Sequence, residues 1–252
     1  MDLQPIAAAA QDPDPGLARI AAWIAARMRP DEPLLVGVTG GVAVGKSVFA
    51  RRLHDHLASD GARTEVVTTD GFLHPNARLE AMGLTDQKGF PPSYDTEAMM
   101  AALTAVRRGP ARFPAYSHVT YDIDPTLTRT IDPPDLLIVE GLNLRRPGAA
   151  EALDVLIYLD ADETDLEAWF TARFLGLWEA AEHDSTSFYA RFRHLDRPGA
   201  AGLAKWVWEQ INLPNLRQHI APARQEADLV AHKAADHRLD ALGVRAGQPS
   251  EI

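Results

Sequence analysis

The chain has 252 residues, 46% of them hydrophobic and 24% charged, a balance that excludes a disordered polymer and leaves room for one large α/β domain with a covered core. A formal charge of -10 opposes phosphate backbones and anionic lipid surfaces, and the absence of cysteine removes disulfides, thiolate zinc sites and a cysteine nucleophile. No apolar run reaches the roughly 18 residues of a membrane span, and an acid stands near the N-terminus where a secretory leader carries basic residues. The expectation is a cytoplasmic protein whose partner is a small molecule, with no nucleic acid and no membrane.

In chain order, residues 1–15 mix Ala, Gln, Asp and Pro without apolar periodicity and predict a flexible tail. Leu17, Ile20, Ala21 and Ile24 have helical spacing, so an amphipathic helix is predicted from Leu17 to Met28. Pro33 to Thr39 is a short apolar run ending in glycines, the pattern of a strand buried in a parallel sheet, and a helix is predicted from Ser47 to Ala58. Further strands are predicted at Thr64–Thr69, Asp135–Glu140 and Asp154–Leu159, separated by helical stretches. That alternation defines an α/β fold, a mostly parallel sheet between helical layers. Residues 109–133, with Pro114, Pro125, Tyr116, His118 and Tyr121, lack a helical period and predict an irregular lid or hairpin beside the sheet. After Asp162 the pattern is helical again, with a loop near His183. The domain is assigned to residues 16–245 and a C-terminal tail to 246–252.

Gly40-Gly41-Val42-Ala43-Val44-Gly45-Lys46-Ser47 fits G-x-x-x-x-G-K-[ST] and lies between a predicted strand and a predicted helix, the context this phosphate loop needs. Glycines let the backbone curl until its N–H groups point inward, and the following helix adds its positive end. Lys46 is expected on the β- and γ-phosphates of ATP and the Ser47 hydroxyl on Mg²⁺. Asp70 closes the second predicted strand, at the edge where ligands of open α/β sheets gather, and there a carboxylate can orient an alcohol and take its proton. The alternative is an Asp-Gly turn residue with no chemistry. Glu140 closes a third strand on the same edge and suits Mg²⁺ held through water, against the alternative of an acid facing solvent.

Five blocks extend beyond the phosphate loop: Thr68–Asn76 (TTDGFLHPN), Lys88–Asp95 (KGFPPSYD), Tyr116–Asp122 (YSHVTYD), Val139–Asn143 (VEGLN) and Ile211–Leu216 (INLPNL). Together with the loop and Arg173-Phe174-Leu175 they resemble bacterial type I pantothenate kinase over residues 34–240. The resemblance implies a three-layer α/β/α P-loop fold that uses ATP and Mg²⁺ to phosphorylate pantothenate, the first step of coenzyme A biosynthesis, in a homodimer. It implies Asp70 as the catalytic aspartate and Arg173 as an arginine reaching the transferring phosphoryl group. It also implies Tyr116, His118, Tyr121, Asn212 and Asn215 around pantothenate, and Arg51 with His118 at a coenzyme A inhibitor site. The chain departs from the family pattern at Phe170, where a substrate-contacting tyrosine is usual, and at Leu177, where an aromatic residue stands near the inhibitor pocket. It is also short at the N-terminus and compact between Asn143 and Asp154.

Two other readings remain open from residues alone. One is a related kinase for uridine, a sugar phosphate or another alcohol; the other is a nucleotide-dependent switch that would hydrolyse ATP without a small acceptor. His54 and His56, two apart on a helix, do not face each other. His183-Asp184-Ser185 are adjacent in sequence, which says nothing about triad geometry.

Overall fold

The computed structural model describes residues 1, 3–6, 14–59, 61–145 and 148–246, without the side chains of 149 and 150. Its centre is β2 (Leu34–Gly40), every residue of which is buried. Parallel neighbours flank it on both sides, β6 (Leu136–Glu140) and β7 (Val155–Asp160), so the strand has no solvent face, and that is why its sequence reads as a continuous apolar run. Beyond β6 lies β3 (Thr64–Thr68), and beyond β7 lies β8 (Leu229–Lys233), both parallel. β9 (Leu239–Val244) then adds antiparallel to β8, and β1 (Gln4–Pro5) antiparallel to β9. The spatial order is β1-β9-β8-β7-β2-β6-β3.

The four predicted strands are present within a residue or so of their expected limits. β8 and β9 were not anticipated, because His232 and Lys233 interrupt the apolar pattern of β8 and the two strands together are only eleven residues long. Part of the expected tail also differs. Gln4 and Pro5 pair with Leu242 and Ala241, and Ile6 donates to the Asp240 carbonyl at 2.8 Å. Residues 2, 7–13 and 247–252 of the two expected tails lie outside the described residues.

Helix α1 (Pro15–Ala25) begins at Asp14, whose carboxylate accepts from the Leu17 N–H at 3.1 Å with Pro15 in the first turn. Its face of Leu17, Ile20, Ala21 and Ile24 is buried, as the spacing predicts, although the helix stops three residues before Met28. α2 (Lys46–Ser59) follows the glycine loop and buries Phe49, Ala50, Leu53 and Leu57. α3 (Asn76–Ala81) and α4 (Thr96–Ala105) lie between β3 and the expected hairpin, in which β4 (Ala111–Ser117) pairs antiparallel with β5 (Asp122–Ile131) with a break in register. A register shift at Pro114, where no N–H is available for the ladder, accounts for the irregular look of its sequence.

α5 (Glu163–Ala180) and α6 (Arg197–Val207) make a helical pair with a second apolar cluster of Phe174, Trp178, Ala181, Tyr189, Ala200 and Ala204. After α6 the helical run widens into π turns at Trp208–Asn212 and Leu216–Ile220, on either side of Leu213–Asn215. Pro214 has no N–H for an ordinary i to i−4 rung. The wider turns are seen directly, Leu213 N–H donating to Trp208 O and Ala221 N–H to Leu216 O at 2.7 Å.

Candidate active site

The loop 40–47 joins the end of β2 to α2 in the strand-loop-helix order that the motif requires. Gly40 and Gly45 have φ values of 150° and 90°, and a Cβ on Gly40 would stand 2.3 Å from the Leu159 carbonyl oxygen. Only glycine fits there, because the backbone conformation and the space both refuse a side chain. Ala43 also has a positive φ of 67°, strain that marks the loop as shaped for something other than stability.

Lys46 folds back over this loop. Its Nζ donates to the Gly40 and Gly41 carbonyls at 3.2 and 3.0 Å. Burial pulls the ammonium below the usual lysine range, while Glu140 and Asp70 oppose that shift and Arg173 adds to it. Asp70, Glu140 and Arg173 thus stand near enough to Lys46 for their charges to act on its ammonium.

Ser47 Oγ donates to Glu140 Oε1 at 2.9 Å. Glu140, 7% exposed at the end of β6, is held above the ordinary carboxylate range chiefly by burial, with Asp70 adding to the rise and Lys46, Ser47 and Thr68 opposing it. Among the described residues no group of three or more His, Asp or Glu side chains could cage a metal. The Ser47–Glu140 pair nevertheless fits Mg²⁺, a cation that takes most of its octahedron from water and substrate phosphates and only one or two protein oxygens.

Glu140 also carries a stability consequence. Between the ordinary carboxyl value of 4.5 and its raised folded value, the folded chain holds a proton that the unfolded chain has released. Stability of the ligand-free protein should therefore fall as pH rises through that window, and Glu140→Gln, which keeps the Ser47 contact, should flatten the fall. Thermal melts without nucleotide at a series of pH values check this; an unchanged slope in the variant would contradict it.

Asp70 sits in a single 3-10 turn, Thr69–Phe72, at the end of β3, with its N–H donating to Thr68 Oγ1 at 3.2 Å. Gly71 is pressed against β4 so closely that a Cβ would lie 2.0 Å from the Pro114 carbonyl oxygen. This contact docks the hairpin on the Asp70 turn. It carries Tyr116, His118 and Tyr121 toward that turn: burial first, then a neighbouring tyrosine and the charge of Asp70, hold the Tyr116 and Tyr121 phenols above their usual range, against ionisation. Tyr116 packs edge-on against His118 and Tyr121, with ring centres at 5.2 and 5.8 Å. Tyr121 has a left-handed φ of 60°, unusual for a bulky residue and characteristic of a functional turn. His118 stands at the exposed rim, lowered by partial desolvation, with Asp70 opposing and Arg173 reinforcing that shift.

α5 supplies Arg173, exposed on the far wall, and Phe170. Phe170 lies 6.2 Å from Phe174 and 6.0 Å from Trp208, centre to centre, an apolar surrounding in keeping with a ring that has lost its hydroxyl. Asn215 is 3% exposed and donates to the Gly89 carbonyl at 3.0 Å, while Asn212 Nδ2 is buried without a partner. Arg51 is exposed one turn along α2, with Ser47 four residues before it on the same face. Leu177 is 36% exposed.

Several residues of this cleft carry no assigned role in the sequence reading. Lys88 Nζ donates to the Tyr121 carbonyl and to Asn76 Oδ1, both at 2.5 Å, and lies over the rings of Tyr116 and Tyr121. Asn143 Nδ2 donates to the Gly89 carbonyl at 2.6 Å. Lys233, at the end of the unanticipated β8, donates to the Val44 carbonyl of the phosphate loop at 2.7 Å, beside the stacked pair Trp169–His237. Lys88 and Asn143 stand inside the quoted sequence blocks, and that was their available signal. Lys233 had none, because its strand is invisible to periodicity.

A phosphate loop between β2 and α2, with Asp70 and Glu140 at the ends of the strands beside it, is the arrangement of a P-loop kinase of the α/β class. A family model described as "Phosphoribulokinase / Uridine kinase family" matches residues 35–170, and the chain belongs to that family. Among curated relatives, "Pantothenate kinase" of Rhodopseudomonas palustris (strain BisB5) is 43% identical over 228 residues, covering 84% of this chain and 72% of the relative. "Pantothenate kinase" of Clavibacter sepedonicus is 45% identical over 218 residues, covering 82% and 68%. A solved protein of Silicibacter sp. TM1040, whose name proposes it as a fructose transport system kinase, superposes with a TM-score of 0.70 at 26% identity over 85% of this chain and 98% of that one. D-glycerate 3-kinase of Cryptococcus neoformans, at 12% identity and a TM-score of 0.62 over 91% of this chain and 99% of that one, shares the fold. No helix among the described residues is long and apolar enough to cross a membrane.

Proposed function

We propose that this chain phosphorylates pantothenate to 4'-phosphopantothenate at the expense of ATP, in the cytoplasm and as a homodimer. The observation that carries the chemistry is the convergence of Asp70, Glu140 and Arg173 on the Lys46 ammonium, with Tyr116, His118 and Tyr121 on the acceptor side of Asp70. A hydrolytic switch needs no such acceptor wall. The relatives' names supply the substrate, and the wall suits it: pantothenate offers hydroxyls, an amide and a carboxylate, and Tyr, His and Asn side chains pair with both donors and acceptors.

In this mechanism the loop N–H groups and Lys46 bind the triphosphate. Ser47 and Glu140 are the residues that would hold Mg²⁺ with its waters, and the chemistry it would supply there is neutralisation of phosphate charge. Asp70 orients the primary hydroxyl in line with the γ-phosphorus. As the new O–P bond forms and the bond to the β–γ bridging oxygen breaks, the carboxylate takes the hydroxyl proton and ADP carries away the bridging oxygen with its electron pair. Lys46 and Arg173 stabilise the charge on the transferring group. Tyr116, His118, Tyr121, Phe170, Asn212 and Asn215 line the acceptor. Phe170 offers one hydrogen bond fewer than a tyrosine would, worth about 1 kcal/mol of affinity. The family resemblance assigns Arg51 and His118 to a coenzyme A inhibitor site.

An ADP-release assay over pantothenate, uridine and a sugar phosphate tests the substrate. The expected result is ADP formation that depends on pantothenate and stays near the buffer rate with the others. ADP released only with another alcohol would transfer the assignment to that substrate, and release that needs no alcohol would replace the kinase with a hydrolase.

A further inference from the structure

Behind the acceptor pocket lies a buried polar layer that the mechanism above leaves unused. Tyr94, 7% exposed, has a phenol oxygen with no hydrogen-bond partner, and the same is true of Thr69 Oγ1 and of Asn143 Oδ1. The side chains of Thr69 and Asn143 come close enough to the phenol to favour its ionised form, yet neither completes a bond of normal geometry. A buried polar atom without a partner weakens the fold, so phenylalanine at 94 would be the more stable core residue if packing were its only duty.

The three groups come from three elements and meet behind the two catalytic strand ends. Thr69 precedes Asp70 in its turn, and it rests on the backbone after Glu140 so tightly that a Cβ on Gly141 would lie 1.8 Å from Thr69 Oγ1. Asn143 follows Gly141 and is fixed in orientation by its bond to the Gly89 carbonyl. Tyr94 is pinned across the Asp70 turn by backbone contacts on every side: a bridge to Leu73, His74 N–H to Ser93 O at 2.8 Å and Asp95 N–H to Phe72 O at 2.8 Å. The charges of both Asp70 and Glu140 act on the phenol.

We propose that Tyr94 is a positioning residue for phosphoryl transfer, its buried hydroxyl acting with Thr69 and Asn143 to fix the Asp70 turn against the end of β6. It touches no substrate; it sets where the Asp70 carboxylate stands relative to the phosphorus. A neutral donor suits this place, because a second cation beside Lys46 would compete with Asp70 for that ammonium's partners, and a third carboxylate would repel the phosphates. A misplacement of the order of 1 Å in a catalytic group costs rate far more than binding.

The inference rests on the kinase reading, and the test separates the two. With whichever alcohol wild type phosphorylates in the panel, Tyr94→Phe should lower kcat about tenfold while KM for that alcohol and for ATP stay within about twofold, and its thermal midpoint should equal or exceed that of wild type. Thr69→Val, which removes the other hydroxyl and keeps the shape, should have an effect of similar size. The double variant should be little worse than either single one, since both hydroxyls act on one turn from one buried polar layer. Wild-type kcat in Tyr94→Phe would overturn the proposal. So would a loss confined to KM, a loss that tracks a falling folded fraction, or full additivity in the double variant. Absence of any alcohol-dependent turnover in wild type would instead sink the kinase reading itself.

Discussion

Asp70→Ala should lower kcat about a thousandfold, within the range for a positioned general base, and leave ATP affinity within about twofold of wild type. The separation follows from what holds the turn. Its bonds, Asp70 N–H to Thr68 Oγ1 at 3.2 Å and Leu73 N–H to Asp70 O at 3.2 Å, use only the backbone atoms of Asp70 and survive the substitution. The charge of the carboxylate acts on Lys46, Tyr116 and Tyr121. Calorimetry with ATP beside steady-state rates measures both quantities, and equal losses in the two would mean that Asp70 supports the nucleotide or the fold.

Lys46→Met should show the other signature. The ammonium lies among the loop carbonyls, bonded to Gly40 and Gly41, and methionine keeps the length of the chain but none of its donors. Charged hydrogen bonds to phosphate are worth about 1.5–3 kcal/mol, which is about ten- to a hundredfold in ATP affinity. Loss of a transition-state donor adds about a hundredfold or more in kcat. Both constants should therefore fall together, whereas Asp70→Ala moves only one. A Lys46→Met protein that binds ATP as tightly as wild type would show that the backbone cradle suffices, and would reduce Lys46 to a structural clamp on its own loop.

How much of this was readable in advance follows from the physics of each element. β2, β6 and β7 are buried on both faces, so their sequences are unbroken apolar runs and their positions were visible, while the edge strand β3 showed only through Val66 and Val67 between its threonines. The phosphate loop was visible because its chemistry demands glycine at particular positions, and the φ values of Gly40 and Gly45 bear that out. β8 and β9 were hidden, since an edge pair ending in His232 and Lys233 has no period long enough to count. With them went Lys233, which reaches the loop from a strand 189 residues away in sequence. Tyr94 and Asn143 were in view as letters within quoted blocks, but nothing local distinguishes a phenol packed behind a catalytic turn from an ordinary core aromatic. The Pro114 register shift and the π turns around Pro214 are likewise backbone responses to tertiary packing, and propensity does not foretell them.

The central claim is that one cleft passes phosphorus from the Lys46 cradle to an alcohol held at Asp70. Phosphorus NMR of wild-type protein mixed with ATP, Mg²⁺ and pantothenate tests it most directly, because it identifies where the γ-phosphorus goes. The expected spectrum shows the γ resonance replaced by a phosphomonoester signal split by two methylene protons, with ADP appearing in equal amount. Inorganic phosphate as the sole product would contradict it.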